Sequence, residues 1–193
     1  MANWVRSGLI VEGEKEHLDK FIEKAKGYCT TPLIGQEPDA EQASCLDFNN
    51  FMPIPAEFLT DENARFCWCE ENWRDAISPH DADLDERSDV RAVYTFSTRN
   101  SPVLPVIEAM GQQFPMLRIY YGYAEPLAGF EGEWKCENGV MTGEHRPMPD
   151  GWRDSPEEPV ASTQVPPPIQ SLESSAIQVE CGEPEIADED IPF

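Results

Sequence analysis

Two cysteines lie close together in this chain and offer its strongest metal-binding chemistry. Cys67 and Cys69 occur in the segment FCWCEENW, and thiolates bind zinc tightly. A structural zinc site needs a second pair of ligands with similar spacing, and the sequence contains no such Cys or His pair. We therefore expect reduced thiols at these positions and no metal site.

The histidines offer no catalytic pair. His17, His80 and His145 lie in separate segments, and none adjoins a Ser or Cys that could act as a nucleophile. The sequence also lacks a phosphate-binding glycine loop and a paired-carboxylate motif. We predict that the protein is not an enzyme, has no catalytic residues, and uses neither a cofactor nor a small-molecule substrate.

A run of aromatic residues offers a different chemistry, because aromatic rings stack on unpaired bases for about 1–3 kcal/mol per base. The candidate residues for binding single-stranded DNA are Arg118, Tyr120, Tyr121 and Trp134. Neighbouring predicted strands add Trp4, Arg6, Arg91 and Arg99. The alternative is that the aromatic rings fill the core beneath the helices, and the acidic composition favours this alternative for any single ring.

The sequence ends in DEDIPF, which combines carboxylates with an apolar end. The residues of this terminal hexapeptide are Asp188, Glu189, Asp190, Ile191, Pro192 and Phe193. A pocket on another protein can bury the Phe193 ring while a cation binds its α-carboxylate. Pro192 limits the entropy lost on docking, and the acidic residues would face a basic rim. We predict a partner-binding site here, and the alternative is a solvating acidic end.

Two predicted pairs, each a strand followed by a helix, define the folded part of the chain. The segment WVRSGLIVEG predicts a strand, and an amphipathic helix follows it. Later, VRAVYTFST predicts a strand and SPVLPVIEAMGQQF a helix with Ser101 as its N-cap and Pro102 at its first position. Two antiparallel strands come next, and Asn138-Gly139 predicts a tight turn after them. This order indicates an α+β, ferredoxin-like (split βαβ) antiparallel sheet with two helices on one face.

The intervening segment carries weaker patterns. CLDFNNFMPIP is consistent with a short strand, and TDENARFCWCEENWRDAI predicts a helix with Thr60 as a possible cap. The acidic stretch SPHDADLDERSD predicts a solvated loop.

Composition divides the chain into three parts. From Glu144 onward there are 12 acidic residues against 2 basic residues, and nine of the 18 prolines lie from Pro147 onward. We therefore predict a ferredoxin-like domain over residues 1–143, a disordered Pro-rich linker over 144–179 and an acidic C-terminal interaction tip over 180–193.

The net charge of −23 argues against a binder of duplex DNA or of an anionic membrane. The sequence has no signal-peptide pattern at MANWVRSGLIVEG and no apolar run of membrane-spanning length. We predict a cytoplasmic protein without a membrane partner.

Several segments together resemble the YubB-like family of plasmid and phage accessory proteins, whose members carry a ferredoxin-like domain. They are MANW, DFNNFMPIPAEF, ENW, YTFSTRNSPVLPVIEAMGQQFP and YYGYAEPLAGFEGEW, within residues 1–142. The chain departs from the family where a Trp-Ser-Pro-Pro sequence is replaced by Asn100, Ser101, Pro102 and Val103. It also reads ENWRDA where the family has a tryptophan-rich segment. The resemblance implies a mobile-element context.

The last residues carry a second resemblance. ADEDIPF is similar to the acidic C-terminal tip of bacterial single-stranded-DNA-binding proteins, which ends in the same four residues after an acidic run. This implies binding to the host replication, recombination and repair enzymes that recognise that tip. The folded domain then either binds single-stranded DNA itself, or does not touch DNA while the tip competes for those enzymes or delivers the domain to them as an inhibitor. A DNA mimic, whose carboxylates imitate phosphates to block a nuclease or restriction enzyme, is the third function that the sequence allows.

Overall fold

The computed structural model describes residues 3–75 and 79–148, and all of them belong to one compact unit. The terminal hexapeptide, the predicted tip and nearly all of the predicted linker lie outside the described residues. The helices and strands are, in chain order, β1 (Trp4–Glu12), α1 (Lys15–Ala25), β2 (Gly27–Tyr28), β3 (Ala43–Ser44), α2 (Glu62–Asn72), β4 (His80–Arg87), β5 (Arg91–Arg99), α3 (Leu104–Gln113), β6 (Arg118–Glu125), β7 (Phe130–Glu137) and β8 (Val140–Pro147).

Six of the strands form one antiparallel sheet in the order β4-β5-β1-β6-β7-β8. The strand nearest the N-terminus therefore lies inside the sheet, and β4 and β8 are its edges. The short strands β2 and β3 pair separately from it. The α+β class with an antiparallel sheet is confirmed.

Apolar residues alternate along the central strands, as expected when one sheet face is buried. In β1 the buried residues include Val5, Leu9 and Val11, and the residues between them are more exposed. Leu9 lies opposite both Tyr94 of β5 and Tyr121 of β6, so these rings share its face. This face supports the hydrophobic core.

The helices pack against that same face. Phe21 of α1 contacts Tyr94 edge to face, with 6.2 Å between the ring centroids. In α3, the backbone approaches Cys136 of β7 so closely that a Cβ on Gly111 would lie 2.7 Å from the Cys136 Cβ. The predicted arrangement of two helices on one face is therefore present.

The insertion before β4 adds a third helix to this layer. Trp73, at the end of α2, contacts Phe48, and Phe48 contacts Phe96 on the buried face of β5. Asp61 caps α2 by accepting a hydrogen bond from the Ala64 amide, so the predicted Thr60 cap is wrong by one residue. A 3-10 turn at Phe48–Asn50 occupies the segment for which a short strand was considered.

The order β4-β5-β1-β6 interleaves two strand-helix-strand units, one containing α1 and the other containing α3. This order supports the ferredoxin-like assignment, which stays a prediction. Strands β7 and β8 extend the sheet beyond that unit. Asn138 and Gly139 both have positive φ, and they form the predicted tight turn between these two strands.

Three sequence predictions are corrected. The acidic stretch predicted as a loop is edge strand β4, in which only Ala82 and Leu84 are partly buried, so the apolar alternation is weak. Helix α3 begins at Leu104, after Val103 as its N-cap, rather than after a Ser101 cap. The Ser101 carbonyl, which precedes the helix, accepts a hydrogen bond from the Thr98 hydroxyl.

The third correction concerns the end of the folded domain. Strand β8 continues to Pro147, so the predicted boundary between residues 143 and 144 falls inside it. Glu144 pairs with Glu133, and Arg146 pairs with Glu131. The proline and the charged residues at this strand's end are typical of a linker, which is why the sequence predicts none of the strand beyond residue 143. Within the described residues, no helix is long and apolar enough to cross a membrane.

Candidate interaction surfaces

Within residues 3–75 and 79–148, the helices leave one face of the sheet uncovered, and we call it the open face. Because successive strand residues point to opposite faces, the open-face residues of the three central strands follow from register. They are Trp4, Arg6, Gly8, Ile10 and Glu12 in β1, Arg91, Val93, Thr95, Ser97 and Arg99 in β5, and Arg118, Tyr120, Gly122 and Ala124 in β6. This is the face on which bases could stack.

Tyr121 is not on the open face. Its side chain is 1% exposed, and its hydroxyl lies 3.0 Å from the Ser7 hydroxyl and accepts a hydrogen bond from the Val103 amide. Burial raises the pKa of Tyr121 above its ordinary value. The prediction that Tyr121 contacts DNA is therefore wrong, because the ring is part of the core.

Trp134 lies on the same covered face, since it pairs directly with Tyr121. It is partly buried against the core, and its ring lies over Gly143 of the neighbouring strand. A Cβ on Gly143 would lie 2.7 Å from Cδ2 of Trp134. Trp134 therefore fills space at the β7 and β8 end of the sheet and does not share the open face with Tyr120, while its role in DNA binding stays a prediction.

Arg118 and Tyr120 do lie on the open face, two residues apart on β6. The Lys135 ammonium lies 5.4 Å from the centroid of the Tyr120 ring. The Arg118 guanidinium lies 3.5 Å from a Glu12 carboxylate oxygen. The four predicted residues are thus divided between two faces, and Arg118 is already held by a carboxylate.

A more exposed aromatic residue lies where β1 begins. Trp4 is 42% exposed and contacts the His80 ring, with 4.9 Å between the centroids. Arg6 follows it on the open face and is exposed, and Arg99 lies directly opposite Trp4. Trp4, Arg6 and Arg99 are among the residues that the sequence adds to the DNA-binding candidates, and Trp4 and Arg6 share a face because they alternate with the buried residues Val5 and Ser7.

Edge strand β4, whose first residue His80 contacts Trp4, carries a row of carboxylates. In β4, Asp81, Asp83, Asp85 and Glu86 are all exposed. Charged side chains on an edge strand prevent pairing with a second sheet. Such a row also presents negative charge to a partner.

The cysteines and histidines do not converge within the described part of the chain. Cys67 is exposed and Cys69 is buried, because residues two apart on a helix point to different sides. Burial raises the pKa of Cys69 to about 12. No group of three or more His, Cys, Asp or Glu residues among the described ones could hold a metal ion.

His145 makes a structural contact, in which its Nδ1 lies 3.0 Å from the Tyr123 hydroxyl.

A shallow cavity of about 230 Å³ lies beside the start of α2, and its lining includes Gln36, Asp39 and Arg65. The Arg65 guanidinium is held there by the Thr31 carbonyl and faces the Glu62 carboxylate at 3.9 Å. Apart from its shape, nothing among the described residues of the cavity indicates a ligand.

No protein-family model and no curated protein sequence matches the chain. The chain is similar in structure to protein api92 from Yersinia pseudotuberculosis, a crystal structure described by the family model DUF1281. The TM-score is 0.60 at 9% sequence identity, and the match covers 78% of this chain and 99% of that one. At this identity the likeness shows a shared fold alone.

Proposed function

We propose that this chain is a cytoplasmic accessory protein of a plasmid or phage that binds host enzymes of DNA replication, recombination and repair through its terminal hexapeptide. The observation that carries the proposal is the order Asp-Glu-Asp-Ile-Pro-Phe at residues 188–193. It is similar to the peptide by which bacterial single-stranded-DNA-binding proteins engage those enzymes. The mobile-element context rests on the resemblance to the YubB-like family.

The chemistry of the hexapeptide supports a docking role. Phe193 is a large apolar side chain next to Pro192, and a pocket that buries the ring gains its transfer free energy, about 1.5–3 kcal/mol. Proline reduces the entropy lost when the peptide becomes ordered. The three carboxylates before Ile191 attract a basic rim, so the association rate should fall as salt rises.

A competition experiment tests this proposal. A fluorescent peptide with the host single-stranded-DNA-binding protein's C-terminal sequence is bound to a purified host enzyme that recognises it, and the full chain is added as competitor. We expect the chain to displace the peptide, and Phe193→Ala to weaken displacement by at least about tenfold, since buried aromatic anchors dominate such interfaces.

Ile177→Ala is the matched control, because it truncates an apolar residue of the same C-terminal segment outside the hexapeptide. It should compete as the unaltered chain does. A chain with extra residues appended after Phe193 tests whether the carboxylate on that residue is part of the ligand. Equal competition by Phe193→Ala and the unaltered chain would refute the proposal.

A DNA mimic is the second candidate, and the exposed carboxylates of β4 favour it. Asp83 and Asp85 lie on the edge of the sheet, where a nuclease or restriction enzyme could approach them. A mimic should inhibit such an enzyme equally well without Phe193 and should lose inhibition when Asp83 and Asp85 are both changed to Asn. If the hexapeptide proposal is right, loss of Phe193 should weaken the interaction with the enzyme, and changing Asp83 and Asp85 to Asn should not.

A further inference from the structure

Most cations of the folded unit are neutralised by nearby carboxylates. Arg118 and Arg91 face Glu12, Lys135 faces Glu137, and similar pairs hold most of the other described Lys and Arg residues. Those with no carboxylate of a described residue within 4 Å are Arg6, Lys24, Arg74 and Arg99.

Three of these unpaired cations lie at the same end of the sheet. Arg6 is on the open face two residues after Trp4, and Arg99 is the residue opposite Trp4. Arg74 is next to Asp75, whose carboxylate accepts a hydrogen bond from the Arg99 amide. Arg6 is exposed, whereas the Arg99 guanidinium lies 5.8 Å from the centroid of the Phe66 ring in α2. In a chain of strongly negative charge, this end of the sheet therefore holds three cations without a carboxylate of a described residue within 4 Å, beside a partly exposed aromatic ring.

The open face is flat beyond this group. Arg6 lies opposite Ser97 and Ala124, and the next open-face position is Gly8, opposite Gly122. A Cβ placed on either glycine would have no heavy atom within 4 Å. Gly8 and Gly122 therefore form a floor of small residues between Trp4 and Tyr120, which lie about 20 Å apart along the strands at roughly 3.3 Å per strand residue.

We propose that Trp4, Arg6 and Arg99 form a binding surface for single-stranded DNA. The partly exposed Trp4 ring offers a base a stacking surface, and the exposed Arg6 beside it, together with Arg99 opposite Trp4, offers cations to the phosphates of a single strand. Duplex DNA offers no free base face to Trp4, and the surrounding carboxylates repel its higher charge density. The strand then follows the glycine floor toward Tyr120.

The choice of DNA over RNA rests on the proposed function, because Trp4 and the two arginines recognise features that both polymers share. The surface itself is independent of the terminal hexapeptide. Binding to DNA and binding to a host enzyme can therefore fail separately.

Fluorescence anisotropy with a labelled oligo-dT of about 15 nucleotides tests the surface, with the full chain at low salt. We expect binding that Trp4→Ala weakens about 5- to 150-fold and that Trp4→Phe largely retains. Trp4 is at the start of a strand and partly exposed, so its replacement leaves the core intact.

The salt dependence provides a second readout. Each phosphate contact contributes about −0.7 to the slope of log affinity against log salt for a single strand, so Arg6→Ala should make the slope shallower by about 0.7. Lys24→Ala is the matched control, since Lys24 is also exposed and unpaired but lies on α1, across the sheet from Arg6. For Lys24→Ala, the slope of log affinity against log salt should equal that of the unaltered chain.

Three results would overturn the proposal. They are the absence of oligo-dT binding at low salt, unchanged affinity in both Trp4→Ala and Arg6→Ala, and tighter binding of oligo-U than of oligo-dT. The chain lacking Phe193 should bind oligo-dT as well as the unaltered chain does, which separates this surface from the hexapeptide. A negative result with DNA would leave the enzyme-binding proposal standing.

Discussion

Replacing Tyr121 by Phe should destabilise the folded unit without changing its shape. The substitution removes only a hydroxyl, which lies 3.0 Å from the Ser7 hydroxyl and accepts a hydrogen bond from the Val103 amide. Ser7 is 5% exposed, so its partner cannot be replaced by bulk water. A lost hydrogen bond that leaves a buried polar group unsatisfied costs about 1–3 kcal/mol.

Urea denaturation followed by circular dichroism measures this loss as a lower transition midpoint at unchanged slope. In a thermal melt the same loss should lower Tm by about 3 °C per kcal/mol for a unit of this size. Tyr120→Phe is the control, because Tyr120 is the adjacent tyrosine on the open face, and its effect should stay within about 0.5 kcal/mol. Equal stability of Tyr121→Phe and the unaltered chain would show that the assignment of Tyr121 to the core is wrong.

Further predictions address packing, thiol reactivity and pH. Gly143→Ala should destabilise the fold by about 1–3 kcal/mol in a thermal melt, because its Cβ would clash with Trp134. Gly8→Ala, with open space above it, should be neutral or stabilising by up to about 1 kcal/mol. A maleimide at pH 8 should label exposed Cys67 and spare buried Cys69, whose pKa is raised to about 12, as peptide mass spectrometry would show. Hydrogen bonds from two cations lower the pKa of Asp19, so its stabilising contribution is present above its ordinary pKa and is lost as pH falls through the lowered value. Asp19→Asn should therefore flatten the acid limb of a stability profile below about pH 4.

The strands of the central sheet could be predicted from sequence because their burial alternates. In β1 and β5, every second residue is apolar or small and buried, and this is the pattern that predicts a half-covered strand. Strand β4 could not be recognised in the same way. An edge strand has one free side and its inward residues are only partly buried, so carboxylates can occupy most of its positions.

The division of the candidate site between two faces was also predictable in principle. Tyr120 and Tyr121 are adjacent, and adjacent strand residues cannot share a face. Which of the two tyrosines is buried depends on how β6 pairs with β1, and the sequence does not reveal this register. The unpaired state of Arg6 required the positions of carboxylates from distant segments, so it could only be found in the structure.

The N-terminal strand lies in the interior of the sheet, and this affects how the chain must fold during synthesis. Strand β1 pairs with β5 and β6, whose residues emerge from the ribosome about 80 to 120 positions later. Both of its edges are unpaired until β5 emerges, and the edge that pairs with β6 stays able to join other strands until β6 emerges. Ribosome-bound chains truncated before Arg118 should therefore remain sensitive to protease, and protection should appear only once β6 has been made.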